Sequence, residues 1–294
     1  MKILVTGVGG FLGQRLVPLL AGEHSVHALF HSTPHQNPDC DFTIADIRDE
    51  YALAALFKKF QPELVIHLAG ITAVSHALAI TEEDVKAINV TASGTLARLS
   101  KEYSAKIIYT STDLVYSGDE GGMVKEEGRL NPLSLYASTK LDGEHAVMEN
   151  TDEYLILRVA LMYGFSKGKL KAFFQEAYNK VRSGQEVVLF HDQFRSSLSV
   201  IDGARMLSNL VKNGTTEKFI NFGAPERTSR ADLFSRFAKK AGLDEKYLVL
   251  KSLDDFPNLP RVVDVSLDIS RLLSLGITPL SVDDSIDEIV KELP

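Results

Sequence analysis

The stretch Val5–Leu16, VTGVGGFLGQRL, places four glycines within Gly7–Gly13, directly after the short apolar run Lys2-Ile3-Leu4-Val5. That run has the character of a strand buried on both faces. From Phe11 to Leu20 the apolar residues Phe11, Leu12, Leu16, Leu19 and Leu20 recur at helical spacing. The reading is strand, turn, helix, with Gly7, Gly10 and Gly13 in G-x-x-G-x-x-G spacing. Glycines at such a turn admit backbone conformations closed to other residues and let a pyrophosphate approach the main chain. The helix that follows aims its free N–H groups at that anion. A tight turn with small residues for helix packing accounts for the glycines equally well, so the rest of the chain has to decide.

Working outward, the pattern repeats. Val26–Phe30 reads as a second strand, 53–60 as a helix, 63–67 as a third strand, and Thr81-Glu-Glu-Asp opens a long helix with a capping pattern that runs to about Tyr103. Lys106–Thr110 is a fourth strand, 135–149 a helix and Tyr154–Val159 a fifth strand. Strands separated by helices predict an α/β fold: a Rossmann-type, doubly wound parallel sheet with helices on both faces. After about Gly164 the alternation loosens. This predicts a dinucleotide-binding core over 1–164 and a smaller, mainly substrate-binding C-terminal lobe over 165–294, interleaved with the core and closing over a ligand at the strand ends.

Composition narrows the function classes. The 294 residues are 45% hydrophobic and 24% charged, as in ordinary soluble domains. A net charge of −7 without a basic run argues against a nucleic-acid partner. The single cysteine, Cys40, excludes an intramolecular disulfide framework and fits a reducing compartment. No apolar stretch reaches the roughly 20 residues of a membrane span, and Met1-Lys2 opens a strand and not a leader peptide, so a cytoplasmic protein is expected. His27, His31 and His35 recur every fourth residue, but they straddle a strand end and a loop with Pro34 and Pro38, so no metal site is expected there.

The second informative stretch is YASTK, Tyr136–Lys140. Residues i and i+4 share a helix face, so phenol and ammonium can point into one cleft, where a neighbouring ammonium would lower the tyrosine pKa toward usable acid–base range. An exposed helix face explains the pair just as simply. The run YTSTDLVYSG, Tyr109–Gly118, adds Ser111 and Thr112 where the fourth strand leaves the sheet, at the edge where open α/β sheets bind ligands. A hydroxyl there could hold a carbonyl oxygen beside Tyr136, though turn chemistry also favours Ser and Thr.

TGVGGFLG, HLAG at 67–70, STDLVYSG at 111–118 and YASTK together resemble the extended short-chain dehydrogenase/reductase family over nearly the whole chain. The resemblance implies a catalytic Tyr136, a Lys140 that binds ribose and tunes the tyrosine, and a hydroxyl from Thr112, with Ser111 the less suited by spacing. It implies cofactor contacts from Asp46, Ile47, Leu68, Ala69 and Gly70 beside the glycine turn of Gly7, Gly10, Phe11, Leu12 and Gly13, while His31 and Ser32, at the end of the second strand, offer donors to a cofactor phosphate. Asn89, in INVTASGT, matches a further family position, and an ordinary polar helix residue explains it equally well.

Within that family, STDLVYSG, HDQFRSSLSVIDGA and DVSLDISRLLSLGITP resemble the dTDP-4-dehydrorhamnose reductases. The resemblance implies reduction of a keto group on a nucleotide-linked deoxysugar, with Arg195 and Arg261 matching phosphate-binding positions; surface ion pairs would also account for either arginine. The chain departs from that group in having no tryptophan, with Leu161 and Met162 at the aromatic position, and Gln14 or Arg15 where some members carry a metal-binding glutamate. Two other outcomes stay open: a sugar-nucleotide epimerase or dehydratase that retains NAD, and a non-catalytic cofactor-binding regulatory subunit. NADP(H) is expected over NAD(H), because the second strand ends in Phe30-His31-Ser32-Thr33 with no acid before Asp39 to repel a 2′-phosphate. The helices from Thr81 and from Leu135 are those that relatives pair in a homodimer, although a sheet-facing stripe explains their apolar positions too.

Overall fold

The computed structural model describes residues 1–32, 40–72, 80–167 and 172–293. The chain divides into two compact units. The first comprises Met1–Val115, Ser134–Arg158 and Thr216–Ile220, and the second Tyr116–Leu133, Val159–Thr215 and Asn221–Pro294.

The first unit carries the expected βα alternation: β1 (Lys2–Thr6), α1 (Gly13–Ala21), β2 (Ser25–Phe30), β3 (Asp41–Ile44), α2 (Glu50–Phe60), β4 (Leu64–His67), α3 (Glu82–Lys86), α4 (Ala92–Glu102), β5 (Lys106–Thr112), α5 (Leu135–Asn150) and β6 (Tyr154–Val159). The sheet runs β3-β2-β1-β4-β5-β6 and is completed by the strand Phe219–Phe222, seven strands in all. The pairs β1–β2, β1–β4, β2–β3 and β4–β5 are parallel. This order, reversing between β1 and β4, is that of the doubly wound nucleotide-binding sheets, which take their ligand at the carboxyl ends of the strands flanking the reversal.

Local chemistry sets the element ends. Asp49 caps α2 by accepting the Ala52 N–H at 3.0 Å, and Gln61 closes it in the left-handed region. Thr81 and Asp84 form a reciprocal capping box on α3. Ser134 caps α5 at the Ala137 N–H, so Tyr136 falls in its first turn. Leu53, Leu56 and Phe57 of α2 join Leu96 of α4 in a core with Leu4, Val65 and Ile107 of the sheet. Each such side chain contributes about 1.5–3 kcal/mol through burial.

Two features depart from the sequence reading. β3 was not expected: it is an edge strand whose Phe42 and Ile44 are exposed, so it lacks the apolar run that marks a buried strand. The long helix from Thr81 is also not uniform. Between α3 and α4, Ala87–Thr91 forms a π-helical turn, a feature that recurs at functional sites.

The second unit is built on an aromatic core. Helices Phe173–Arg182, Arg230–Lys240 and Val282–Val290 contribute to a buried cluster in which the Phe174 and Phe237 ring centres lie 4.6 Å apart. Strands Val187–Phe190 and Leu248–Lys251 pair in parallel at its side. No helix among the described residues is long and apolar enough to cross a membrane.

Candidate active site

Gly7 follows β1 at φ +69°, and a Cβ there would lie 2.5 Å from the Ala69 nitrogen, beyond the end of β4. A Cβ on Gly13 would lie 2.6 Å from the Gly7 carbonyl oxygen, and one on Gly10 3.0 Å from it. The G-x-x-G-x-x-G spacing is therefore a packing requirement: three backbone segments meet with no room for side chains. Gly9, outside that spacing, faces only the Phe30 ring at 3.8 Å. Leu12 is buried and precedes α1, and among the described residues no side chain caps that helix. The Gln14 and Arg15 N–H groups donate to the Gly10 and Leu12 carbonyls at 3.2 and 3.0 Å, so the side-chain-free glycine turn at the helix start is what fits a dinucleotide pyrophosphate.

At the ends of β2 and β3 the structure brings together His31, Asp46 and a residue the sequence reading passed over, Arg48. Asp46 accepts the Arg48 backbone N–H at 2.9 Å and its guanidinium at 2.7–3.1 Å. The other guanidinium nitrogen reaches Asp84 at 2.8 Å. Arg48 holds the Asp46 carboxyl below the usual range. His31 Nε2 is 3.8 Å from Asp46, and both His31 and Ser32 are exposed. The second strand thus has no acid after it in sequence but has one beside it in space. Ile47 is buried; Thr33, His35 and Asp39 lie outside the described residues.

The third cluster joins β5 to α5. Thr112 and Lys140 are buried and Tyr136 is partly exposed. Thr112 Oγ1 donates to Asp113 at 3.1 Å and accepts the Leu114 N–H at 3.3 Å. Burial pushes the Tyr136 phenol up to about 12, although its hydrogen bond with Thr112 works the other way. Burial likewise pushes Lys140 down to about 7, partly offset by Glu144. The expected depression of the tyrosine by its lysine is therefore absent: desolvation dominates both groups and leaves Tyr136 a protonated phenol at neutral pH.

Asn89 is fully buried in the π-helical turn, where it accepts the Ile71 N–H at 2.8 Å and donates to the Ile71 carbonyl at 3.0 Å and to Thr139 at 3.1 Å. It is more than an ordinary polar helix residue. It fastens the turn that follows Leu68, Ala69 and Gly70 to the helix of Tyr136. The Ser111 hydroxyl is buried with no hydrogen-bond partner among the described residues.

The two arginines belong to the second unit. Arg195 is buried and donates to the Phe194 carbonyl at 2.7 Å. Arg261 is exposed and pairs with exposed Asp254 at 3.1 Å. Their segments run side by side, since the Phe194 N–H donates to the Val263 carbonyl at 2.7 Å. A third cation lies there that the sequence reading missed. Arg227 stacks 3.4 Å over the Phe194 ring and donates to Asp264 at 2.6 Å. His27, from the histidine series, is in β2 and bonds Thr43 at 2.8 Å. Among the described residues no group of three or more His, Cys, Asp or Glu is placed to hold a metal.

A glycine turn at the switch point of a parallel sheet, with Thr112, Tyr136 and Lys140 beyond it, defines a Rossmann-type protein of the dehydrogenase/reductase kind. The chain belongs to the RmlD substrate binding domain family, which matches residues 1–293. It is 30% identical over 283 residues to methionine adenosyltransferase 2 subunit beta of Xenopus laevis, covering 94% of this chain and 83% of that one. It is 28% identical to the probable low-salt glycan biosynthesis reductase Agl14 of Haloferax volcanii, covering 97% and 96%. A hypothetical dTDP-4-dehydrorhamnose reductase from Sulfolobus tokodaii superimposes with a TM-score of 0.80 at 28% identity, covering 96% and 98%.

Proposed function

We propose that the protein reduces a keto group on a nucleotide-linked deoxysugar with NADP(H), in the manner of a dTDP-4-dehydrorhamnose reductase. The observation that carries this reading is the convergence of Thr112, at the end of β5, with Tyr136 and Lys140 one helical turn apart on α5, where burial keeps the phenol protonated. The glycine turn fits the pyrophosphate and Lys140 the nicotinamide ribose; a reduced nicotinamide bound there supplies the hydride. Tyr136 gives its proton to the oxygen that becomes the alcohol. Thr112 donates a hydrogen bond to the same oxygen as charge develops on it, turning its hydroxyl away from Asp113 to do so. The second unit is assigned the substrate, with Arg195 and Arg261 on its diphosphate.

The likeness to a Haloferax reductase of glycan biosynthesis and to a Sulfolobus dehydrorhamnose reductase supports this choice. The likeness to a methionine adenosyltransferase subunit favours a second reading, in which the chain binds a nicotinamide nucleotide and serves a larger enzyme. A subunit of that kind has no chemical need for Thr112, Tyr136 and Lys140, so the reductase is preferred. The test is a screen of 4-keto nucleotide sugars with NADPH, followed by cofactor absorbance, with Tyr136→Phe as control. Oxidation that depends on Tyr136 supports the reductase; none with any sugar, while the cofactor still binds, favours the subunit. A nicotinamide that stays bound through purification would favour an epimerase or dehydratase instead.

A further inference from the structure

His67 closes β4 and is fully buried, with each ring nitrogen facing one hydroxyl: Nδ1 is 2.8 Å from Thr6 Oγ1 and Nε2 is 3.0 Å from Ser93 Oγ. The neighbours of those hydroxyls favour one arrangement of the protons. Ser93 donates to the Asn89 carbonyl at 2.8 Å. Its oxygen is therefore left to accept from Nε2–H. Nδ1 is then bare and accepts the Thr6 proton, while Thr6 Oγ1 accepts the Ala69 N–H at 3.2 Å. Burial, with some help from Lys140, pushes the imidazole down to about 3, in keeping with a neutral ring.

The run of bonds continues past Asn89. Its side chain holds both polar groups of Ile71 and donates to Thr139, which donates in turn to the Tyr136 carbonyl at 3.0 Å. Ala69 and Ile71 flank Gly70, where a Cβ would lie 3.2 Å from Asn89 Oδ1 and 3.8 Å from Lys140 Nζ. One set of buried and half-buried hydrogen bonds thus links the turn after β4, the π-helical turn and the helix of Tyr136 and Lys140. His67 is the member that joins the β1 side of this set to the α4 side.

We propose that His67 is a positioning residue: as the Nε2–H imidazole it fixes the Leu68–Ile71 turn against the helix that carries Tyr136 and Lys140, and so sets how a nicotinamide nucleotide lies against those two side chains. Its action on turnover rests on the reductase reading, whereas its action on cofactor binding does not. A second role for the same ring is plain filling of core volume beside Tyr109, whose ring centre is 5.5 Å away, and the experiment separates the two.

The variants are His67→Phe, which keeps a ring and loses both bonds, His67→Asn, whose amide oxygen can replace Nδ1 as acceptor for Thr6, Thr6→Val, and the double variant of Phe with Val. Titration with NADPH and NADH without substrate gives cofactor affinity, and kcat and KM follow on whichever keto-sugar nucleotide the screen identifies. Stranding the Thr6 and Ser93 hydroxyls should weaken cofactor binding roughly ten- to a hundredfold in His67→Phe, lower kcat and leave the sugar's KM near wild type. His67→Asn should recover part of the affinity. The double variant should lose little more than His67→Phe alone, because both changes cut one chain. Should His67→Phe fail to fold, nitrogen-15 NMR of the wild-type histidine ring decides, with the Nε2–H tautomer expected. An Nδ1–H tautomer, or strictly additive losses from Thr6→Val and His67→Phe, overturns the proposal. Unchanged affinity and kcat in His67→Phe overturns it while leaving the reductase reading intact. Weakened cofactor binding in a protein that reduces no sugar nucleotide upholds the positioning role and removes the reductase reading.

Discussion

Lys140 Nζ lies 4.0 Å over the centre of the Tyr109 ring, one helical turn from Tyr136. A cation over an aromatic face is stabilised by the ring quadrupole, but here desolvation is the larger effect and the ammonium is pushed down to about 7. The hydroxyl of the same tyrosine donates to the Lys140 carbonyl at 3.3 Å, and the ring crosses α5 where a Cβ on Gly143 would lie within van der Waals radii of that hydroxyl. Tyr109 therefore supports the lysine from below and sets how closely α5 lies on β5.

The depressed Lys140 pKa has a consequence for stability against pH. Below about pH 7 the lysine is protonated in both the folded and the unfolded chain, and its desolvation cost is fully present. Between pH 7 and its ordinary value near 10.5 the unfolded chain binds more protons, so stability rises with pH in that window. Lys140→Met should remove this contribution. The free-energy difference between Lys140→Met and wild type, from urea melts, should favour the variant at pH 6.5 and shrink steadily by pH 9.5. A difference that stays flat would place the Lys140 pKa outside this window.

Gly7 and Gly9 should respond oppositely to alanine. Gly7→Ala forces a left-handed backbone on a side chain and drives its Cβ into the Ala69 backbone, so a loss of about 2 kcal/mol or more is expected. Gly9→Ala meets only the Phe30 ring at ordinary contact distance. It should be neutral or gain up to about 1 kcal/mol through a less flexible unfolded chain. Chemical denaturation of the two variants measures this, and similar losses at both positions would contradict the packing described.

The strength of the glycine signal explains what else was legible. A motif whose members touch one another within a few residues, such as Gly7, Gly10 and Gly13, or Tyr136 and Lys140 on one helix face, carries its geometry in its spacing. The buried strands were legible for a related reason: covered on both faces, they read as unbroken apolar runs. β3 carries no such run, because Phe42 and Ile44 face solvent at the sheet edge. Asn89 could be matched to a family position but its three hydrogen bonds could not be seen, since Ile71 and Thr139 are brought to it by folding and a π-helical turn has no signature in residue spacing. Arg227 escaped for the same reason, since Phe194 and Asp264 are distant in sequence, and so did the link from Arg48 to Asp84, although Arg48 stands only two residues from Asp46.

Tyr136→Phe should lower kcat by about 10²–10⁴-fold, as loss of a general acid does, with little change in cofactor affinity. The phenol oxygen makes no contribution to the glycine turn, and α5 keeps its Ser134 cap. Steady-state kinetics beside a cofactor titration gives both numbers. Near wild-type turnover would assign the proton to another group.

Arg195 and Arg261 differ in burial, and that separates fold from function. Arg261→Ala breaks only an exposed pair with Asp254, so its stability should stay within about 0.5 kcal/mol of wild type while the KM for a sugar nucleotide rises. Arg195→Ala removes a buried guanidinium hydrogen-bonded to the Phe194 carbonyl, so both stability and KM should suffer. Thermal melts and KM values for the diphosphate substrate test this. An unchanged KM for Arg261→Ala would remove it from the substrate site.

The preference between NADPH and NADH depends on how Arg48 divides itself. A 2′-phosphate arriving near His31 and Ser32 would meet Asp46 on the same side, an unfavourable neighbour unless its charge is met. Arg48 meets it through a bidentate contact, but its remaining nitrogen is held by Asp84. The local balance is thus one guanidinium against two carboxylates, with the histidine beside them, which predicts a modest preference at most. Arg48→Ala leaves both carboxylates uncompensated and should shift the affinity ratio toward NADH by about tenfold, the worth of a charge-assisted contact of about 1.5 kcal/mol. Asp84→Asn withdraws one of the competing charges and should move the ratio the other way by a smaller factor. His31→Asp adds a third carboxylate and should act in the same direction as Arg48→Ala. All these groups are at least partly exposed, so the shifts should shrink with added salt. Paired titrations of NADPH and NADH at low and high salt measure the ratio in each variant. Ratios that stay fixed in all three would mean that the adenosine ribose lies away from this cluster, and that Arg48 serves only to tie Asp46 to α3.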